Sequence, residues 1–139
     1  MKTTLKKCVI CGKPVCSPNS NHCSQCRDFT HRMNQRGIHK DAVKEIEEHV
    51  RRNGFVCGYT RIKLNMKDPK SPLYFVFDHM IPGDDRKIVL TFALLNEMKS
   101  DMTWEEFKYY ILQFAKFFTT GAKIIPKKLK YWFRLAPKM

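Results

Sequence analysis

Two different hydrophobic periods run along this chain, and the switch between them marks its elements. Over 40–53, Val43, Ile46 and Val50 recur at helical spacing. Asp41 stands in the first turn and Arg51 and Arg52 in the last, where the helix dipole favours those charges. Asn53-Gly54 stops the helix. Residues 55–64 suit a short strand or hairpin, and 65–72, carrying Pro69 and Pro72, a polar loop. Residues 73–77 (LYFVF) and 88–91 (IVLT) are aromatic or β-branched and predict two short strands around a turn at 81–86. A short helix over 92–99 carries Leu94, Leu95 and Met98. Thr103 and Glu106 then form a capping box. It opens an amphipathic helix of about four turns on which Trp104, Phe107, Ile111, Phe114 and Phe118 share one face. That aromatic stripe reads as core packing. Gly121 ends the helix, and Pro126 and Pro137 discourage another long one in the tail. Residues 1–30 lack periodicity and read as loop. Residues 31–39 read as a basic connector containing at most the end of a short helix.

Charge adds a partner to this picture. The 139 residues carry 26 Lys+Arg against 13 Asp+Glu, a formal charge of +13. Such an excess points to a polyanion, nucleic acid ahead of an anionic membrane surface. It is concentrated at the ends. Residues 1–40 hold eight Lys/Arg and one acid, Asp28; residues 123–139 hold six and none. Two basic arms around a balanced middle suit a grip on phosphates. In the tail Lys123, Lys127, Lys128, Lys130 and Arg134 mix with Tyr131, Trp132 and Phe133. The cations suit phosphates, and the aromatics either stack on bases or dock on the aromatic helix. DNA is the expected partner. No window approaches the ~20 apolar residues of a membrane span, and the charged start MKTTLKKC lacks an apolar leader, so the expected location is intracellular.

In a reducing compartment six cysteines argue for metal rather than disulfides. Cys8-x2-Cys11 and Cys23-x2-Cys26 are two CxxC pairs. Each pair offers two thiolates, so together they complete the tetrahedron of a structural zinc, with Gly12 allowing the tight turn after the first pair. Cys16 and His22 lie inside the intervening loop and read as bystanders. Cys57 reads as a buried apolar residue, and His31, His39 and His49 as solvent-facing.

A second constellation lies over 74–107. Asp78 and His79 end an apolar strand, Pro82 follows in a loop, Ile88-Val89-Leu90-Thr91 make a second strand, and Asn96-x2-Lys99-Ser100-Asp101 lie on a short helix. This order resembles the HNH (ββα-metal) endonuclease family over roughly residues 55–110. The resemblance implies an α+β fold: a small ββα-metal nuclease core with an N-terminal zinc knuckle and flanking helices. It divides the chain into a knuckle and connector (1–39), a nuclease domain (40–120) and a basic aromatic tail (121–139). It also implies phosphodiester hydrolysis. Asp78 and Asn96 would hold a hard cation, Mg²⁺ or Mn²⁺, through oxygen, and the imidazole of His79 would serve as general base. Neighbouring strand residues point to opposite sides, so the strand must end or bend at Asp78-His79. Asp84 and Asp85 read as an exposed acidic turn.

One position departs from the pattern. The family's second strand commonly begins with an asparagine that steadies the histidine loop, and here Lys87 stands there. A lysine donates but cannot accept, so it cannot make both contacts of an amide; contact with a phosphate is its remaining use in the cleft. This departure keeps a second reading open, a zinc-binding nucleic-acid-binding protein without catalysis on the same fold. The charge distribution disfavours a third, a zinc-knuckle module for protein contacts.

Overall fold

A computed structural model describes residues 6–15 and 21–131 of the chain. It is a small α+β fold. Among the described residues four helices, α1 (Ser24–Gln35), α2 (Lys40–Asn53), α3 (Ala93–Lys99) and α4 (Trp104–Thr120), accompany one two-stranded antiparallel sheet of β1 (Phe75–His79) and β2 (Ile88–Phe92). The register pairs Phe75 with Phe92, Phe77 with Leu90 and His79 with Ile88. β2 runs directly into α3, which packs back on both strands, while α2 packs on β2. The chain order β1, β2, α3 is therefore a compact ββα unit.

Helix α1 corrects the expectation of a loop over 1–30. Its buried residues, Cys26, Phe29 and Met33, recur at helical spacing, and Cys23 caps it. Phe29 is its anchor, in edge or tilted contact with Phe55, Phe75 and Phe77 at centroid distances of 5.3–5.8 Å. The cysteine knuckle and the sheet thus share one core. Helix α2 buries Ala42, Ile46 and Val50 and ends at Gly54, whose φ of +81° is open to glycine at little cost. The segment 55–64 forms a hairpin closed by a single bridge, Val56 to Lys63, rather than a full strand. Gly58 lies so close to β2 that an added Cβ would stand 2.6 Å from Val89 Cγ1, and its N–H donates to Leu90 O. Only glycine fits this approach.

The aromatic stripe of α4 corrects a second expectation. The capping box forms as the sequence predicts, with Glu106 N–H donating to Thr103 Oγ1 and Thr103 N–H to Glu106 Oε1. Of the stripe, however, only Phe107 is buried, with Trp104 half-covered beside it. Ile111, Phe114 and Phe118 emerge into solvent, Phe118 to 80%. The core ends one turn into the helix. The following segment folds back along α4 instead: Tyr109 and Tyr110 hydroxyls donate to the carbonyls of Ile125 and Lys127, and Lys130 N–H donates to Glu106 Oε2. Lys127 also sits over the Tyr109 ring. Trp132, Phe133, Arg134 and the rest of the tail lie outside the described residues, as does Cys16.

Candidate metal centre and cleft

The four cysteines of the two CxxC pairs converge. Their Sγ atoms all lie within 4.8 Å of one another, and those of Cys11 and Cys23 are 3.5 Å apart. Sulfurs around a tetrahedral ion at ~2.3 Å are about 3.8 Å apart, so this set can hold one metal ion. The local chain builds the site from two turns. Cys8 and Cys11 flank a hairpin tip in which Gly12, at φ +76°, returns its N–H to Cys8 O. Cys23 caps α1, and Cys26 sits in its first turn. Burial alone raises the Cys8 thiol, but N–H donors of Cys11, Cys23 and Ile10 outweigh it and bring the group down to about 6. Burial holds Cys11 up, and burial with the neighbouring sulfurs holds Cys26 well up. Cysteines bind a cation as thiolates, so a metal ion held here would displace whatever thiol protons remain. No other group of three or more His, Cys, Asp or Glu ligands gathers among the described residues.

Further along the chain, a cleft of about 320 Å³ opens at the end of β1. Asp78, His79 and Asn96 all line it, together with Pro82, Gly83, Glu97 and Asp101. Three sequence-predicted residues from two elements are thereby brought to one cavity. The fourth is not. Lys87 is exposed and absent from the cleft lining; its main chain instead closes the loop, accepting from Met80 N–H at 2.9 Å. As expected, β1 ends at His79, and the paired side chains take different partners.

Asp78 is 6% exposed. Its Oδ2 accepts from the Tyr59 hydroxyl at 2.8 Å and lies 3.1 Å from Lys99 Nζ. Burial first, then the Asp78 charge and hydrogen bond, push the Tyr59 phenol far up, so it stays a donor. His79 is 44% exposed, and its Nε2 is 3.0 Å from Asp85 Oδ1. Asp85 is therefore partner to the imidazole and not only a turn residue. A carboxylate on Nε2 favours the tautomer with hydrogen there and leaves Nδ1 as the basic nitrogen. On the other side of His79 a second cleft of about 240 Å³ is bordered by Asp85, Ile88 and Arg36, the residue capping α1.

Sequence reading missed Tyr59 and Lys99 as partners of Asp78. It also misplaced two histidines. His39 caps α2 through Nδ1, and half-buried His49 meets Val56 O at 2.7 Å. Cys57 is fully buried as expected, its thiol 3.2 Å from Thr91 Oγ1. No helix among the described residues is long and apolar enough to cross a membrane. Compared with known proteins, the chain matches no family model, no curated protein and no solved structure.

Proposed function

We propose that this protein is a metal-dependent DNA endonuclease of the HNH type, with a structural zinc in its four-cysteine knuckle. The observation that carries the reading is the shared cleft: an acid, a histidine and an asparagine, from the end of a strand and from the helix two elements on, border one cavity. Asp78 offers an anionic oxygen and Asn96 a neutral one, a donor set for a hard cation. Mg²⁺ or Mn²⁺ bound there would neutralise charge building on the phosphodiester and on its leaving oxygen. The chain's own residues do the rest. His79, held at Nε2 by Asp85, takes a proton from water at Nδ1 as the water oxygen bonds to phosphorus and the P–O3′ bond breaks, and the released 3′-oxygen takes a proton from solvent water to leave as a hydroxyl. The oxygens of the phosphodiester face a chain of net charge +13, and Arg36 stands on the far side of His79 as a cation for the neighbouring phosphate.

A second reading, nucleic-acid binding without catalysis, is favoured by one observation: Lys87, just before β2, stays out of the cleft and carries no side-chain amide to steady the histidine loop. Supercoiled plasmid separates the two. The nuclease reading expects nicked or linear DNA with Mg²⁺ or Mn²⁺ and none with EDTA. Retarded but uncut plasmid under every divalent metal would establish the binding module instead.

A further inference from the structure

Lys99 is 1% exposed, the most thoroughly buried charge among the described residues. Burying an ammonium is costly, and an apolar side chain of similar length would fill the same space without that cost. The ammonium is retained where it makes two contacts that no apolar group can make. It lies 3.1 Å from Asp78 Oδ2 and donates to the main-chain carbonyl of His79, also at 3.1 Å. One cation thus ties together the side chain of the proposed metal ligand and the backbone of the proposed base. The surrounding chain is shaped to keep it there. Lys99 is the last residue of α3, where the helix dipole favours a cation. Ser100, next in line, takes φ +49°, a conformation that non-glycine residues rarely adopt.

We infer that Lys99 is a positioning residue of the cleft, with two effects that oppose each other. It takes over the steadying of the histidine loop from the asparagine that Lys87 replaces. It also draws on the negative charge of Asp78. With Tyr59 and Lys99 both on Oδ2, and no described residue donating to Oδ1, Asp78 keeps a single oxygen for a divalent ion. A fixed positive charge on the same carboxylate weakens that ion's hold. Lys99 therefore gives up cation affinity in exchange for geometry. This rests on the nuclease reading above for its catalytic half and on electrostatics alone for its binding half.

The two halves are read separately in zinc-loaded protein. Mn²⁺ binding is measured by calorimetry without nucleic acid, and plasmid cleavage is measured at saturating Mn²⁺. Lys99→Met removes both charge and donor, whereas Lys99→Gln removes the charge and keeps a donor. The expected result for Lys99→Met is a Kd for Mn²⁺ at least threefold lower with turnover at least tenfold slower. Lys99→Gln binds Mn²⁺ as tightly as Lys99→Met but recovers part of the turnover. A purely structural lysine would lower binding and turnover together, and that parallel loss overturns the inference, as does unchanged turnover. If Lys99→Met does not fold, Lys99→Gln decides: binding no tighter than wild type overturns it. A wild type that binds Mn²⁺ but never cuts DNA ends the nuclease reading and the catalytic half of this inference, leaving the binding half to stand or fall on the Mn²⁺ affinities. A wild type that binds no Mn²⁺ ends both.

Discussion

Trp104 lies flat on Tyr59, ring centroids 4.1 Å apart and planes 11° from parallel, and Tyr59 passes that support on to Asp78. The first turn of α4 therefore buttresses the cleft from behind. The two residues contribute differently. Trp104→Ala removes a large half-buried ring and should cost about 3 kcal/mol. Tyr59→Phe keeps the stack and loses one hydrogen bond to a charged group, about 1.5–3 kcal/mol at most, softened because Lys99 still pairs with Asp78. Urea unfolding should rank the two variants in that order. The reverse order would mean the stack does not support the site.

The contact between Asp85 and His79 is exposed, with side-chain exposures of 78% and 44%. Exposed pairs of this kind are worth little, on the order of 0.2–1 kcal/mol. Asp85→Asn should accordingly slow turnover by only about two- to fivefold and leave DNA affinity unchanged. Kinetics at saturating DNA and metal read this directly. A loss as large as that from removing His79 would show that Asp85 holds the cation rather than the imidazole.

Removing a metal from the knuckle would act at a distance from the cleft. The cysteine cluster includes the cap and first turn of α1, and α1 carries Phe29 against Phe75 and Phe77 of β1. Stripping the knuckle with a strong chelator should lower the melting temperature and loosen α1 and β1 together. Metal analysis of protein purified without added zinc should find about one Zn per chain, and its absence would remove the structural-zinc assignment.

Glu106 gives an acid-side signature. Burial alone would raise its carboxyl, but the N–H groups of Thr103 and Lys130, the Thr103 hydroxyl and the Lys130 charge together hold it below its ordinary value of 4.5. A depressed carboxylate stabilises the fold above that ordinary value, and the stabilisation is lost as pH falls through the lower folded value. Glu106→Gln keeps an acceptor for the capping box and loses only the charge at the start of α4, so it should cost about 0.3–1 kcal/mol at neutral pH. It should also flatten the decline in melting temperature below about pH 4.5. An unaltered acid limb would mean that Glu106 does not hold α4 and the returning segment.

Much of this layout is legible in the amino-acid order. The bounds of α2, β2 and α4 follow from period and caps, and the two CxxC pairs foretell their own convergence. Helix α1 was obscured because Cys26, Phe29 and Met33 carry helical spacing inside a stretch whose cysteines, serines and prolines read as loop. β1 begins and ends two residues later than the run LYFVF suggests, because pairing with β2 decides its ends. For α4 the period shows which face is apolar but not how far the core extends to cover it. Hence Ile111, Phe114 and Phe118 stand uncovered. Lys99 was the hardest residue to read. Nothing in a local pattern marks a lysine as buried; its burial follows from the placement of Asp78 and the His79 carbonyl on a strand twenty residues earlier.

We propose that the cleft holding Asp78, His79 and Asn96 cuts DNA. Single-turnover cleavage of plasmid by wild type and His79→Ala, at equal zinc content and saturating Mg²⁺, decides it. The wild type should cut in a metal-dependent way and His79→Ala at a rate about 10²–10⁴-fold lower, the usual contribution of a general base, with DNA binding retained. Equal cleavage by the two proteins would contradict it.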